Sequence, residues 1–268
     1  MQLALKLVLA PVLVAQALRT RRRALVLPEA AGPRGGVVGA VDGARSVIRI
    51  VVAGDSSAAG VGVDHQDHAV VGHLARGLAH RLGGPVDWTL RARSGLTTHG
   101  VHALLEAEPV PPADVAIVIS GVNDVVDLVP VRRALRHRAT LAERLLARGA
   151  ARHVVFAALP PVHRFPLLPE PLRRVMGSDA RRHDAALARW AADEAYVTHC
   201  PIDVDLDAST MAPDGFHPGE PVYRACGEAL AAHVADVVWP RLVGASSRPA
   251  TDLQPPGARV SIAHQEPA

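Results

Sequence analysis

Gly54-Asp55-Ser56 closes a β-branched apolar run, and Asp214-Gly215-Phe216-His217 follows 160 residues later. Between them lie Gly95, in Ser94-Gly95-Leu96-Thr97, and Asn123, in Gly121-Val122-Asn123-Asp124. A serine, a histidine, a carboxylate and two oxyanion donors are the groups that acyl transfer to water requires. Ser56 stands in a strand-to-helix turn, where its hydroxyl projects from a sheet edge and the backbone N–H groups of a helix start are free. Asp214 and His217 are three apart. A helical turn there puts both on one face, so the carboxylate holds one ring nitrogen and leaves the other for Ser56. The Asn123 amide brings an N–H to a developing oxyanion without charge, and Gly95 lets its backbone N–H approach closely. Taken singly, each group also has a plain reading as a helix cap, a turn or a loop residue.

The surrounding pattern must deliver these groups to one place. Apolar runs at Val47–Ala53, Val86–Leu90, Val115–Ser120, Val154–Ala158 and Ala195–Thr198 read as five strands. Helical periodicity fills the gaps at Val70–Leu82, Thr98–Ala107, Val131–Arg148, Ser178–Ala192 and Pro221–Leu242. Alternation of this kind predicts an α/β domain with a parallel sheet covered on both faces, and ligands beyond the carboxyl ends of its strands. Gly54 and Gly121 both begin just past such ends.

The order and placement of these groups resemble the SGNH superfamily of GDSL-type esterases and lipases, over about Ser46 to Leu242. Ser56 in Gly-Asp-Ser matches the family nucleophile, and Gly60-Val61-Gly62 continues that block. Gly95 and Asn123 match the second- and third-block residues, and Asp214 with His217 matches Asp-x-x-His, followed by Pro218. Ser57 replaces the leucine of the GDSL signature. The resemblance implies a flavodoxin-like three-layer α/β/α fold and an oxyanion hole from the Ser56 and Gly95 N–H groups and the Asn123 amide. It implies no metal and no organic cofactor. The expected activity is a serine esterase with Ser56, Asp214 and His217 as its triad, acting on a small-molecule ester. Thioesters and acetylated sugars fall within the same superfamily. The rival reading is a non-catalytic, membrane-tethered binding protein that keeps the pocket. No long insertion for a lid is visible, which favours small or accessible acyl groups.

Other chemistries fit less well. Val61 follows Gly60 where a phosphate-binding loop needs Lys, and His65 stands where a dinucleotide loop needs its third glycine. Asp64-His65-Gln66-Asp67-His68 reads as a solvated loop rather than a metal site. His163-Arg164, past the fourth strand, reads equally as pocket wall or surface. Cys200 and Cys226, the only cysteines, form neither a disulfide framework nor a zinc set and read as small apolar residues.

The 268 residues suit one domain with tails: 1–36 as an N-terminal segment and linker, 37–243 as the hydrolase domain, 244–268 as a disordered tail. Residues 1–36 carry Lys6, Arg19, Arg21, Arg22, Arg23 and Arg34 against Glu29, a net of +5; the chain total of +3 leaves the body at −2. With aromatics at only 3%, a nucleic-acid surface finds no support. Residues 3–18 are apolar apart from Lys6 and Gln16, and Arg19–Arg23 follow at once. This suits a helix on an anionic membrane surface, or an exported chain cut after Ala15-Gln16-Ala17. A cytoplasmic core helix is the remaining reading, and the run is short for a spanning helix and contains Pro11. The segment contributes no motif residue, so a chain beginning near Gly35 is expected to suffice for activity.

Overall fold

The computed structural model describes residues 3–39, 47–147 and 150–246; the expected tail lies almost wholly outside them. The sheet has six strands: β1 (Gly35–Val38), β2 (Ile48–Gly54), β3 (Val86–Ala92), β4 (Ala113–Ile119), β5 (Ala151–Ala157) and β6 (Val197–Cys200). Their order is β1-β3-β2-β4-β5-β6, with β1 antiparallel to β3 and every other pairing parallel. Stripped of β1, this is the doubly wound flavodoxin-like order, and its switch point lies between β2 and β4.

Two cores follow from the pleat. On β2 and β4, Ile48, Ile50, Val52, Val115 and Ile117 pack in one apolar cluster, and Ala53, Ala116 and Val118 in the other. The first is roofed by α3 (Val70–Leu82), α8 (Glu220–His233) and α9 (Trp239–Ser246). The second is roofed by α4 (Thr98–Ala107), α6 (Val131–Leu146) and α7 (Leu172–Ala192). Such period-2 partition between two faces is what near-continuous apolar strands produce in a covered parallel sheet.

The structure departs from the sequence reading in four places. The sheet has a sixth strand, because Gly35-Gly36-Val37-Val38, partly placed in the linker, pairs with Val86–Thr89 at the edge. Glycine-rich edge residues carry little apolar pattern, so the pairing is invisible locally. Helix α7 begins at Leu172 rather than Ser178. Gly177 lies inside it, where a Cβ would stand 2.5 Å from His163 Cβ. The last predicted helix is interrupted by a π turn at Val234–Val238, just before Pro240, which has no N–H to donate to the carbonyl four residues back. The fourth departure is α1 (Leu3–Arg23), which docks on the domain. Gln16 Nε2 donates to Glu170 O (2.7 Å) and its Oε1 accepts from Leu172 N (3.1 Å), capping an otherwise orphan donor of α7. Leu9, Leu13, Gln16 and Thr20 are half-buried, whereas Val8, Val12, Val14 and Leu18 face outward. Among the described residues no helix is long and apolar enough to cross a membrane.

Helices α3 and α8 cross closely at Gly227, where a Cβ would stand 2.5 Å from His73 Cβ and 2.8 Å from Leu74 N. Gly227→Ala gains about 1 kcal/mol of helix propensity. Overpacking against backbone costs more, so a net loss of about 1–2 kcal/mol and a lower Tm are expected in thermal unfolding. An unchanged or raised Tm would show that the crossing has room to spare.

Candidate active site

Ser56 opens α2 (Ser56–Ala59), a single turn at the carboxyl end of β2. Gly54 makes that placement sterically feasible: a Cβ on it would lie 2.1 Å from Ile119 O of β4. Asp55 caps the turn, its carboxylate accepting from Ser57 N at 2.9 Å. Ser56 is largely buried and lines a cavity together with Asn123 and His217. Three of the expected residues, from three separate segments, thus share one wall-bounded space.

His217 and Asp214 are joined directly. The ring Nδ1 donates to Asp214 Oδ2 at 2.6 Å, while Oδ1 accepts from the backbone N–H groups of Phe216 and His217, each at 2.9 Å. The local form is not a helical turn but a tight turn closed by the Asp214 side chain, with Gly215 at φ +64° and a bridge between Met211 and Pro218. The side chain of an aspartate bonds backbone two residues on more readily than it continues a helix. Burial works to raise the Asp214 pKa, but the ring and backbone donors outweigh it and hold it below the ordinary carboxylate range. An ionised carboxylate on Nδ1–H leaves Nε2 with its lone pair as the acceptor.

Asn123 lies on α5 (Val122–Val126), after Gly121 at φ +132°. Its Nδ2 donates to Leu96 O at 2.9 Å, and the amide keeps a second N–H. That bond ties Asn123 to the loop bearing Gly95, which adopts φ +82° with open space where a Cβ would be. Gly95 is not itself a cavity-lining residue. His163 and Arg164 are not either: His163 Nδ1 lies 3.2 Å from Arg181, Arg164 pairs with Asp205 at 2.9 Å, and the neighbouring Phe165 lines the wall. Among the described residues no three metal-ligating side chains converge; His65 pairs with Asp67 and His68 with Glu220.

Two supports escaped the sequence reading. The first is Glu29, whose Oε1 accepts from Ser94 N at 2.6 Å and whose other oxygen pairs with Arg34. Arg34 in turn donates to Ala92 O at 2.6 Å. The segment read as a linker therefore braces the Gly95 loop, and a chain beginning near Gly35 would lack that brace. The second is a buried ion pair. Asp124, next to Asn123, accepts from Thr98 N and Thr98 Oγ1 (3.3 and 2.5 Å) and faces Arg138 at 3.7 Å, with neither side chain of the ion pair reaching solvent. Buried charge with a long-range partner was the only available signal, and a sequence does not reveal partners.

Asp55 carries a testable consequence. Burial pushes its pKa from 3.8 to about 7, against the lowering effect of the Ser57 N–H and of His217. A raised carboxyl favours the fold most below the unfolded value and loses that contribution as pH rises toward about 7. Asp55→Asn lacks this loss. Its stability relative to the wild type should therefore grow between pH 4 and 8, by about 4 kcal/mol in urea titrations. A pH-independent difference would mean that Asp55 is solvated as an ordinary surface carboxylate.

Comparison with known proteins identifies the family. A family model described as GDSL-like Lipase/Acylhydrolase matches residues 52–225. The GDSL-like esterase Rv1075c of Mycobacterium tuberculosis is 27% identical over 222 residues, covering 78% of this chain and 70% of that protein. Among solved structures, the lipase Lip_vut3 from a goat rumen metagenome superposes with a TM-score of 0.54 at 22% identity, over 70% of this chain and 97% of that one. A Clostridium thermocellum family 3 carbohydrate esterase gives 0.55 at 16% identity, over 74% and 100%. At such identities the superpositions speak for the fold alone. The family match spans most of the sheet and both ends of the site from Ser56 to His217, and the chain belongs to the GDSL-like lipase/acylhydrolase family, as a hydrolase of ester bonds.

Proposed function

We propose that this hydrolase cleaves carboxylic esters through an acyl-enzyme on Ser56. The observation that carries the reading is the Asp214–His217 hydrogen bond, on the rim of the cavity that Ser56 and Asn123 also line. Ser56 Oγ attacks the ester carbonyl and gives its proton to His217 Nε2. Asp214 stabilises the imidazolium and fixes the ring. The oxyanion is received by the backbone N–H groups of Ser56 and Gly95 and by the free N–H of the Asn123 amide. Collapse expels the alcohol, which takes the proton from His217; water then repeats the sequence and releases the acid.

Covalent labelling with a fluorophosphonate tests this directly. The wild type should label once, at Ser56, and Ser56→Ala should lose both label and turnover while remaining folded. A binding protein that merely keeps the pocket would not label. Asn123→Ala should still label, more slowly, with kcat lowered about 10²–10³-fold. Labelling that survives in Ser56→Ala would overturn the assignment, and a normal kcat in Asn123→Ala would remove the amide from the mechanism.

The outward face of α1 supports a place at an anionic lipid surface. Val8, Val12, Val14 and Leu18 are exposed, and Arg19, Arg21, Arg22 and Arg23 follow. The full chain should co-sediment with vesicles containing phosphatidylserine and be released by high salt, because the attraction is screened. Replacing the four arginines by alanine should abolish sedimentation and spare turnover. Truncation is the poorer test, because it also removes Glu29. Equal sedimentation with neutral vesicles would rule out the arginines as the cause.

A further inference from the structure

The cavity beside Ser56 does not end at the rim. It has a volume of about 80 Å³, and its lining passes from Ser56, Asn123 and His217 to Val222, Cys226 and Leu230 of α8. Those three recur at intervals of four, so they form one stripe running about 12 Å along the helix axis from the end nearest His217. Leu230 is fully buried and Val70, which faces the same space from α3, almost so, which places the inner end within the core between α3 and α8.

The polar atoms near this inner part are already committed or uncharged. Tyr223 donates its hydroxyl to Val61 O at 2.6 Å. Burial pushes the Cys226 thiol up to about 12, so it stays protonated and behaves as a small apolar wall residue. A sugar hydroxyl or a charged group placed here would lose its water without gaining a partner. An aliphatic chain gains on burial.

We infer that this cavity receives the acyl chain of the substrate, and that the enzyme prefers linear aliphatic acyl groups of about six to eight carbons, long enough to pass Cys226 and follow most of the stripe toward Leu230. The inference rests on Ser56 as the nucleophile and adds the acyl specificity. It differs from the expectation of small acyl groups drawn from the missing lid: the chain is enclosed by α8 and the sheet, and no lid is needed to shield it.

The test is kcat/KM for p-nitrophenyl esters from acetate to dodecanoate, with fluorophosphonate labelling measured on the same preparation. Each buried methylene is worth a factor of about four at most, so hexanoate or octanoate should exceed acetate by about tenfold or more, and dodecanoate should fall away. Cys226→Leu, which fills the middle of the stripe, should lower the octanoate-to-acetate ratio by about tenfold. Cys226→Ala, which opens it, should move the optimum to longer chains. A profile that declines from acetate onward, with Ser56 still labelled, overturns the acyl cavity and leaves the nucleophile standing. A ratio unmoved by either folded Cys226 variant overturns it too. Loss of labelling in the wild type fails both readings together.

Discussion

The carboxylate of Asp124 has no contact with water, and three elements around the site depend on that fact. It accepts two hydrogen bonds from Thr98 at the start of α4 and faces the guanidinium of Arg138 on α6. Its own helix, α5, carries Asn123 one residue earlier. A charge in this position must be compensated, because the cost of leaving either partner alone in the interior runs to about 3–5 kcal/mol. Its hydrogen bonds with Thr98 tie α4 to α5 at the carboxyl end of β4, and α6 brings the Arg138 guanidinium beside the same carboxylate. The Gly95 loop enters α4 directly, and Leu96 O accepts from the Asn123 amide. Two of the three oxyanion donors proposed here thus lie beside elements that one buried carboxylate ties together.

The serine and histidine sides of the site are built by local means. Asp55 caps the turn that holds Ser56, and Asp214 closes the turn that holds His217. Both use a short carboxylate that reaches backbone N–H groups two or three residues on. The two aspartates nonetheless sit in opposite electrostatic states. Asp214 is surrounded by donors that favour its charge, whereas burial outweighs the donors of Asp55. The first suits the role proposed for Asp214, stabilising an imidazolium on His217. The second leaves a carboxyl whose ionisation is opposed by burial one residue before Ser56.

Family membership settles the reaction class and leaves the acyl group open, because a fold of this kind hosts many ester chemistries. Specificity has to be read from this chain's own walls. Here the wall is α8, a helix whose N-terminus follows His217-Pro218-Gly219 and whose inward stripe continues the site into the core. One element thus follows directly on His217 and, on the reading proposed here, sets the length of the acyl chain.

The sequence by itself determined the parallel α/β sheet and pointed to Ser56, Asn123 and His217, which line one cavity at its edge. It did so because each signal is short-range: β-branched runs, helical periodicity, and Gly-Asp-Ser and Asp-x-x-His, whose members lie within three residues of one another. Tertiary structure decided the rest. Gly35–Val38 became a strand only because β3 offered an edge, and the glycine at 177 is required because His163 fills the space where a Cβ would stand. Glu29 reaches Ser94 across 65 residues, Arg138 reaches Asp124 across 14, and the cavity joins α3, α8 and the loops after β4 and β5. Such contacts leave no periodic trace, because an isolated Glu or Arg looks the same in sequence whether it faces water or a partner. What a side chain does when buried is fixed by what else is buried with it.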